Sequence, residues 1–403
     1  MNVLDRFLDY VSYPTMSDEE SLTIPSSQKQ LVLARRIVED LKSIGVDDAH
    51  VDEYGYVYGT IPANCDNVKN VVGFIAHMDT SSEASDTNIK TSVIEYNGGD
   101  ILLNEEKSIV MSTETYPALN SYVGKHLVVT DGTTLLGADD KAGVAEIITA
   151  AEEIIKCNKP HGTVKIGITP DEEIGRGADK FDVKGFGADY AYTVDGGALG
   201  ELEYENFNAA SAVVQFKGVA IHPGSAKDKM KNAALMACEF NALLPNDEIP
   251  AKTEGYEGFH HLISMEGSTE EAKLVYIIRD HDRALFERKK QIFIDAVKAI
   301  KDIYGEEFVE LTLKDSYYNM KEKIETRMEI VEFAKQAMIE NGVEPIVVPI
   351  RGGTDGARLS YEGLLCPNIC TGGENFHSRF EYVPVESMEK ITDIIKTIVY
   401  NTK

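Results

Sequence analysis

The sequence predicts an α/β protein, an α/β/α sandwich on a mixed, largely parallel sheet, interrupted by an inserted two-layer α+β domain. Three observations predict it. Short apolar runs alternate with helix-period segments through the first 200 residues, the pattern of a sheet with parallel crossovers. A strand–helix–strand–helix–strand run of about 110 residues follows, the size of a compact domain. The chain then returns to its first style.

The elements follow in order. Val3, Leu4, Phe7, Leu8 and Val11 recur at helical spacing, and so do Leu31, Ala34, Ile37, Val38, Leu41 and Ile44 within 28–44. Ser26 or Ser27 is the expected N-cap of that second helix, and Gly45 its left-handed C-terminal stop. Residues 71–76 (VVGFIA) read as a buried strand, 142–155 as a helix, and 163–169 and 191–194 as strands. The middle gives strands at 212–216, 274–278 and 308–314 around helices 230–244 and 283–304. The end gives helix 326–341 with Thr326 as N-cap, a short strand at 345–349 and helix 387–401. The expected division is one domain of 1–208 and 321–403, and an insertion of 209–320.

Composition narrows the function. With 40 basic and 67 acidic residues the 403-residue chain carries a formal charge of −27, and 43% of it is hydrophobic. That is too apolar for a disordered acidic chain. No basic block exists to neutralise phosphates, so nucleic acid and anionic membranes are excluded as partners. No apolar run approaches the roughly 20 residues that span a bilayer. Asp5 and Asp9 interrupt the N-terminus, which therefore does not read as a signal peptide. Five cysteines without a CxxC fit reduced thiols and a cytoplasmic location.

Five polar clusters could carry chemistry: His77–Asp79 after the 71–76 strand, Asp139–Lys141 before a helix, Asp171–Glu173 after a strand, Asp195 closing another, and Glu374–His377 near the C-terminus. His77 and Asp79, two apart on a strand, face one side, so Asp79 can orient a metal-binding imidazole. Each cluster alone has a plain explanation. Strand-end histidines find acids, and adjacent acids cap helices. Together they set histidines and carboxylates on loops after strands, where open α/β sheets bind ligands. Such a cysteine-free donor set suits zinc, manganese or cobalt.

The segments FIAHMDTS, TTLLGADDKAGVAEI, TPDEEIGRGA, YTVDGG, ELEYENFNAA, TEGYEGF, IIRDHDR, DSYYNM, PIRGGTDGA and GGENFHSRFEYV resemble the glutamate carboxypeptidase/aminoacylase-type co-catalytic zinc peptidases, and among them the tripeptide aminopeptidases. The likeness runs over nearly the whole chain. It implies a catalytic zinc-binding domain with two zinc ions, replaceable by Co2+ or Mn2+. His77 and Asp195 would hold one ion, Glu173 and His377 the other. Asp139 would bridge them, with Asp140 as the alternative. Glu172 would be the general base and Asp79 the residue that orients His77. His222, in IHPG, matches the family histidine that stabilises the oxyanion across a homodimer, which makes the insertion a lid and dimerisation domain. Its plain alternative is a turn histidine before a proline.

A short peptide also needs its terminal charges paired. Arg279 and Arg351 are candidates for the carboxylate, with Asn208, Asn319 and Asp355 as further polar contacts and Tyr317 and Tyr318 lining the cleft. The leading expectation is removal of the N-terminal residue from tripeptides. A dipeptidase or aminoacylase would use the same metal ligands, and an inactive peptide-binding module would bind without turnover.

Overall fold

The computed structural model describes residues 1–402 except 67 and 69. The chain forms two compact units. One comprises Met1–Tyr204, Glu322–Val348 and Thr354–Lys403, the other Glu205–Lys321 and Pro349–Gly353. The short second visit at 349–353 falls outside the insertion boundaries expected from sequence.

The first unit is built on an eight-stranded sheet: β1 (His50–Val51), β2 (Val57–Ile61), β3 (Val72–His77), β4 (Val164–Thr169), β5 (Tyr190–Val194), β6 (Glu201–Glu203), β7 (Ile346–Val347) and β8 (Asn368–Ile369). The strand order is β1-β2-β4-β3-β5-β8-β6-β7. β4, β3, β5 and β8 are mutually parallel, while β1/β2, β2/β4 and β6/β8 are antiparallel. β3 is buried at every position, as a parallel strand covered on both faces must be, and hence reads as an unbroken apolar run. Three helices matter here: α1 (Val3–Val11), α2 (Gln30–Ser43) and α3 (Ala138–Cys157). α3 packs on α1, on β3 and on the closing helix Val385–Asn401, burying Val144, Ile147, Ile148, Ala151 and Ile154.

Two caps differ from expectation. The Ser26 hydroxyl bonds the Asp171 carboxylate at 2.5 Å instead of capping α2, and Thr326 bonds the Lys323 carbonyl while the helix begins at Glu329. A partner far along the chain takes the Ser26 hydroxyl, and a carbonyl three residues back takes that of Thr326. Residues 91–130 fold into strands that sequence did not assign, with His126–Thr130 between Thr91–Glu95 and Val383–Pro384 and antiparallel to both, around Tyr96, Met111, Leu119, Leu127 and Tyr382.

The second unit is a four-stranded antiparallel sheet in the order Phe259–Gly267, Glu271–Asp280, Asn208–Lys217, Val309–Tyr317. Helices Ala233–Leu243 and Arg283–Tyr304 cover one face, with Val214, Phe216, Phe240, Tyr276 and Phe293 in the core. Sequence missed the Phe259–Gly267 strand. It is largely exposed beyond His260, so no clean alternation marks it. No helix among the described residues is long and apolar enough to cross a membrane.

Candidate metal centre

Four adjacent parallel strands deliver the cluster. β3 ends on His77, β4 ends just before Asp171–Glu173, β5 ends just before Asp195, and β8 runs into the segment that carries His377. Parallel strands present their carboxyl ends on one edge, so residues far apart in sequence converge there. Asp139 arrives separately, at the start of α3, where φ and ψ are not yet helical.

The distances define a pair of sub-clusters. His77 Nε2 lies 2.9 Å from Asp139 Oδ1, 3.6 Å from Asp195 Oδ1 and 4.0 Å from Glu172 Oε2. His377 Nε2 lies 2.9 Å from Glu173 Oε2 and 3.4 Å from Asp139 Oδ2. Asp139 thus offers one oxygen to each imidazole. Ligand-capable atoms of His77, Asp139 and Glu173 fall within 4.8 Å of one another, as do those of His77, Asp140 and Asp195. Asp140 is engaged differently: Oδ2 accepts the His77 backbone N–H at 2.9 Å, and Oδ1 is buried without a hydrogen-bond partner.

The outer contacts fix these groups. His77 Nδ1 lies 3.1 Å from the Asp79 carbonyl oxygen. A carbonyl only accepts, so Nδ1 carries a proton and Nε2 faces the carboxylates. The Asp79 carboxylate is 3.4 Å from the same nitrogen. Its two oxygens also accept the backbone N–H groups of Glu172 (3.0 Å) and Glu173 (3.1 Å), so Asp79 holds the loop of the two glutamates as well as facing His77. Asp171, the first acid of that run, turns away and accepts from Ser26 and Gln30. Glu83, which sequence did not single out, lies 3.4 Å from His377 Nδ1. Nothing in its SSEAS context marks it. Lys141 is buried, donates to the Tyr13 carbonyl at 2.7 Å, and is lowered to about 8 by burial against the pull of Asp86, Glu381 and Asp79.

The electrostatics suit a cation-binding cluster. Burial lifts Glu173 to about 8, with the Asp139 charge adding to it. Burial likewise raises Glu172, Asp195 and Asp140. Burial would lower His77, but the Asp195 and Asp139 carboxylates outweigh it and raise it. Hydrogen bonds to Asp139 and Glu173 lift His377 to about 11. Burial opposes ionisation of Asp139, yet hydrogen bonds from His377 and His77 win and lower it. The crowded carboxylates thus favour positive charge at this place. A divalent ion would supply that charge. Two nitrogens, five neighbouring carboxylates and no thiol fit zinc-class ions.

Of the other predicted residues, Asp355 lies buried in the first unit, its Oδ2 accepting from the Thr169 hydroxyl at 2.7 Å; the rest belong to the second unit. His222 sits on an exposed turn, its Nδ1 accepting the Gly224 N–H at 3.2 Å. The proton of the neutral ring is therefore on Nε2. Arg279 donates from Nη1 to the Arg351 carbonyl (3.2 Å), and its guanidinium lies 5.9 Å from the centre of the Tyr317 ring; its Nε is buried without a partner. Arg351 is different: Nη1 donates to Gly255 O (2.5 Å) and Glu257 O (3.1 Å), Nη2 approaches Thr253, and the plane lies over Phe207 and Phe259. Asn208 is 2% exposed; Nδ2 donates to Asp280 O and His281 O, and Oδ1 accepts from Asn319 N, all at 3.0 Å. Both side chains, expected on substrate, are engaged with backbone carbonyls.

A model of "Peptidase family M20/M25/M40" matches residues 130–401. The chain is 56% identical over 405 residues to peptidase T of Halothermothrix orenii, covering 100% of this chain and 99% of that protein. It is 54% identical over 399 residues to peptidase T of Clostridium acetobutylicum, covering 98% of each. Among solved structures it is similar in fold to aminopeptidase PepT from Bacillus cereus, with TM-score 0.79, 22% identity, and 100% of this chain and 98% of that one covered. A tripeptidase from Staphylococcus aureus gives TM-score 0.79 at 20% identity over the same shares.

Proposed function

The chain belongs to peptidase family M20/M25/M40 and is a hydrolase, a tripeptide aminopeptidase; on that premise we propose that it cleaves with two bound zinc ions and with Glu172 as the group that moves the proton. The observation that carries this reading is Asp139, one carboxylate with an oxygen toward each of two imidazoles. His77 and Asp195 would hold one ion, Glu173 and His377 the other, and Asp139 both. When bound, such ions polarise the scissile carbonyl and acidify water.

The chain's own groups do the rest. Glu172 takes a proton from water at its carboxylate and returns it to the departing amine, the two steps of general base and then general acid. Asp79 supports this by holding the backbone N–H groups of Glu172 and Glu173, so that the two adjacent side chains diverge, one to the proton and one to the ion. The His77 tautomer set by the Asp79 carbonyl leaves Nε2 for the ion. His222 has its Nε2–H free of the Gly224 contact, which supports it as the donor to the developing oxyanion. Arg279, with donors to spare, is the proposed partner of the peptide's carboxylate. Arg351 and Asn208 leave that role, since backbone carbonyls already take their donors. The same reading gives the second unit the roles of lid and homodimer surface and the protein a cytoplasmic setting.

The test is hydrolysis of matched di-, tri- and tetrapeptides by zinc-loaded wild type and Glu172→Ala. Release of the N-terminal residue from the tripeptide, lost by a factor of about 10³ or more in the variant, is the expected outcome. Faster cleavage of the dipeptide would move the protein to a dipeptidase. Full activity in the variant would end the assignment of Glu172.

A further inference from the structure

Asp139 turns one oxygen toward each of two imidazoles, and the residue that holds its loop, Glu381, lies in the GGENFHSRFEYV segment without a ligand or proton-transfer role of its own. The backbone N–H groups of Leu136, Gly137 and Asp139 converge on one side chain. Glu381 Oε2 accepts from Leu136 N (3.1 Å) and Gly137 N (2.7 Å), and Oε1 accepts from Asp139 N (2.9 Å). Gly137 has φ +79°, the left-handed turn that aims successive N–H groups at one anion. Glu381 is 2% exposed and stands four residues beyond His377 in the chain. A single carboxylate therefore ties the loop of Asp139 to the segment of His377.

We propose that Glu381 is a positioning residue that sets the spacing between Asp139 and His377 and through it the affinity for both metal ions; the proposal rests on the two-metal reading above. Asp79 does the equivalent for Glu172 and Glu173, also through backbone N–H groups. The arrangement holds a ligand by its main chain and leaves both of its side-chain oxygens for ions. A purely structural acid at the start of α3 would predict lost stability and unchanged metal binding.

Glu381→Gln separates the two. An amide has one oxygen, and two of the three bonds survive if that oxygen faces Leu136 and Gly137. The NH2 group then meets the Asp139 N–H, so the tie to Asp139 alone is lost. Zinc affinity, measured by competition with a chromogenic chelator, should fall about 10- to 100-fold. Amide exchange of the chelated protein, followed by mass spectrometry over 136–139, should speed up about tenfold. The KM for tripeptide at saturating zinc should stay put. Wild-type zinc affinity in the variant would overturn the proposal, as would weakened zinc with unchanged exchange at 136–139. If the wild type itself bound no zinc, the two-metal reading would fall, and with it the proposed effect on affinity, while the exchange result would still show whether the carboxylate holds the loop. Should the glutamine variant not fold, Glu381→Asp keeps the charge but withdraws both acceptors by one methylene, and the same losses are expected.

Discussion

The strand-end loops of the first unit and the asparagine–arginine lacing of the second are both dense in polar side chains, and they use them in opposite ways. Around His77 and His377 the loops are held by backbone N–H groups that carboxylates accept: Asp79 takes Glu172 and Glu173, Asp140 takes His77, and Glu381 takes Leu136, Gly137 and Asp139. The side chains of Asp139, Glu173 and Asp195 are thereby left facing one another and the imidazoles. In the second unit the side chains themselves bond the backbone. Asn206, Asn208 and Asn319 exchange amide hydrogen bonds with strand ends, and Arg351 clamps carbonyls of residues 253–257. Polar density alone does not mark a site. A site is marked by polar side chains whose own main chain is already satisfied.

The largest expected effect breaks the first region. Asp139→Asn replaces the oxygen facing one imidazole with an NH2 group. Zinc content by atomic absorption should fall from two to below one per chain. Tripeptide hydrolysis should fall about a thousandfold, roughly 4 kcal/mol of barrier. Retention of both ions would show that Asp140, whose Oδ1 is buried and unpartnered, is the shared ligand instead.

A smaller effect sharpens the contrast within the second region. Asn208→Ala removes the side-chain partner of the Asp280 carbonyl and of the Asn319 N–H, while the His281 carbonyl keeps Asn319 Nδ2. At roughly 1–3 kcal/mol for each unsatisfied group, urea unfolding should weaken by about 4 kcal/mol while KM holds. Arg279→Ala should do the reverse, raising KM for tripeptides about tenfold or more by removing a charged hydrogen-bond donor, with little change in unfolding. A raised KM in Asn208→Ala at full stability would return that side chain to the substrate.

The same distinction explains what the sequence shows. The α/β order was legible because parallel strands are apolar throughout and helices keep their period, as at β3 and Arg283–Tyr304. The histidines and acids at strand ends were legible because few other positions concentrate such groups. Glu83, and the role of Glu381 inside GGENFHSRFEYV, are not, since each is defined by a contact about 240–290 residues away in sequence. The backbone bonds of Asn208 and Arg351, both expected on substrate, are hidden for the same reason. Residue type announces donors and acceptors, but only the fold shows whether backbone has claimed them.

The effects farthest from the site come from two glutamates on α3, six residues apart, whose surroundings have opposite signs. Burial raises Glu146, and both its oxygens lack partners. Burial also works against Glu152, but hydrogen bonds from Arg6, Lys156 and the N-terminal ammonium outweigh it and lower it to about 2. Glu152, depressed when folded, stabilises fully above the unfolded value near 4.3 and loses that contribution as pH falls toward about 2. Allowing for solvent screening, this is on the order of 2 kcal/mol. Glu146, raised when folded, runs the other way. Its contribution is intact below the unfolded value and drains as pH rises, by up to about 1.4 kcal/mol per unit until the folded group ionises. Urea unfolding at pH 3, 5 and 8 therefore should show Glu152→Gln less stable than wild type at pH 8 and converging on it at pH 3. Glu146→Gln should gain on wild type from pH 5 to pH 8. Parallel pH curves for all three proteins would mean that neither carboxyl feels its surroundings, and that charge on this helix is as solvated as on the surface.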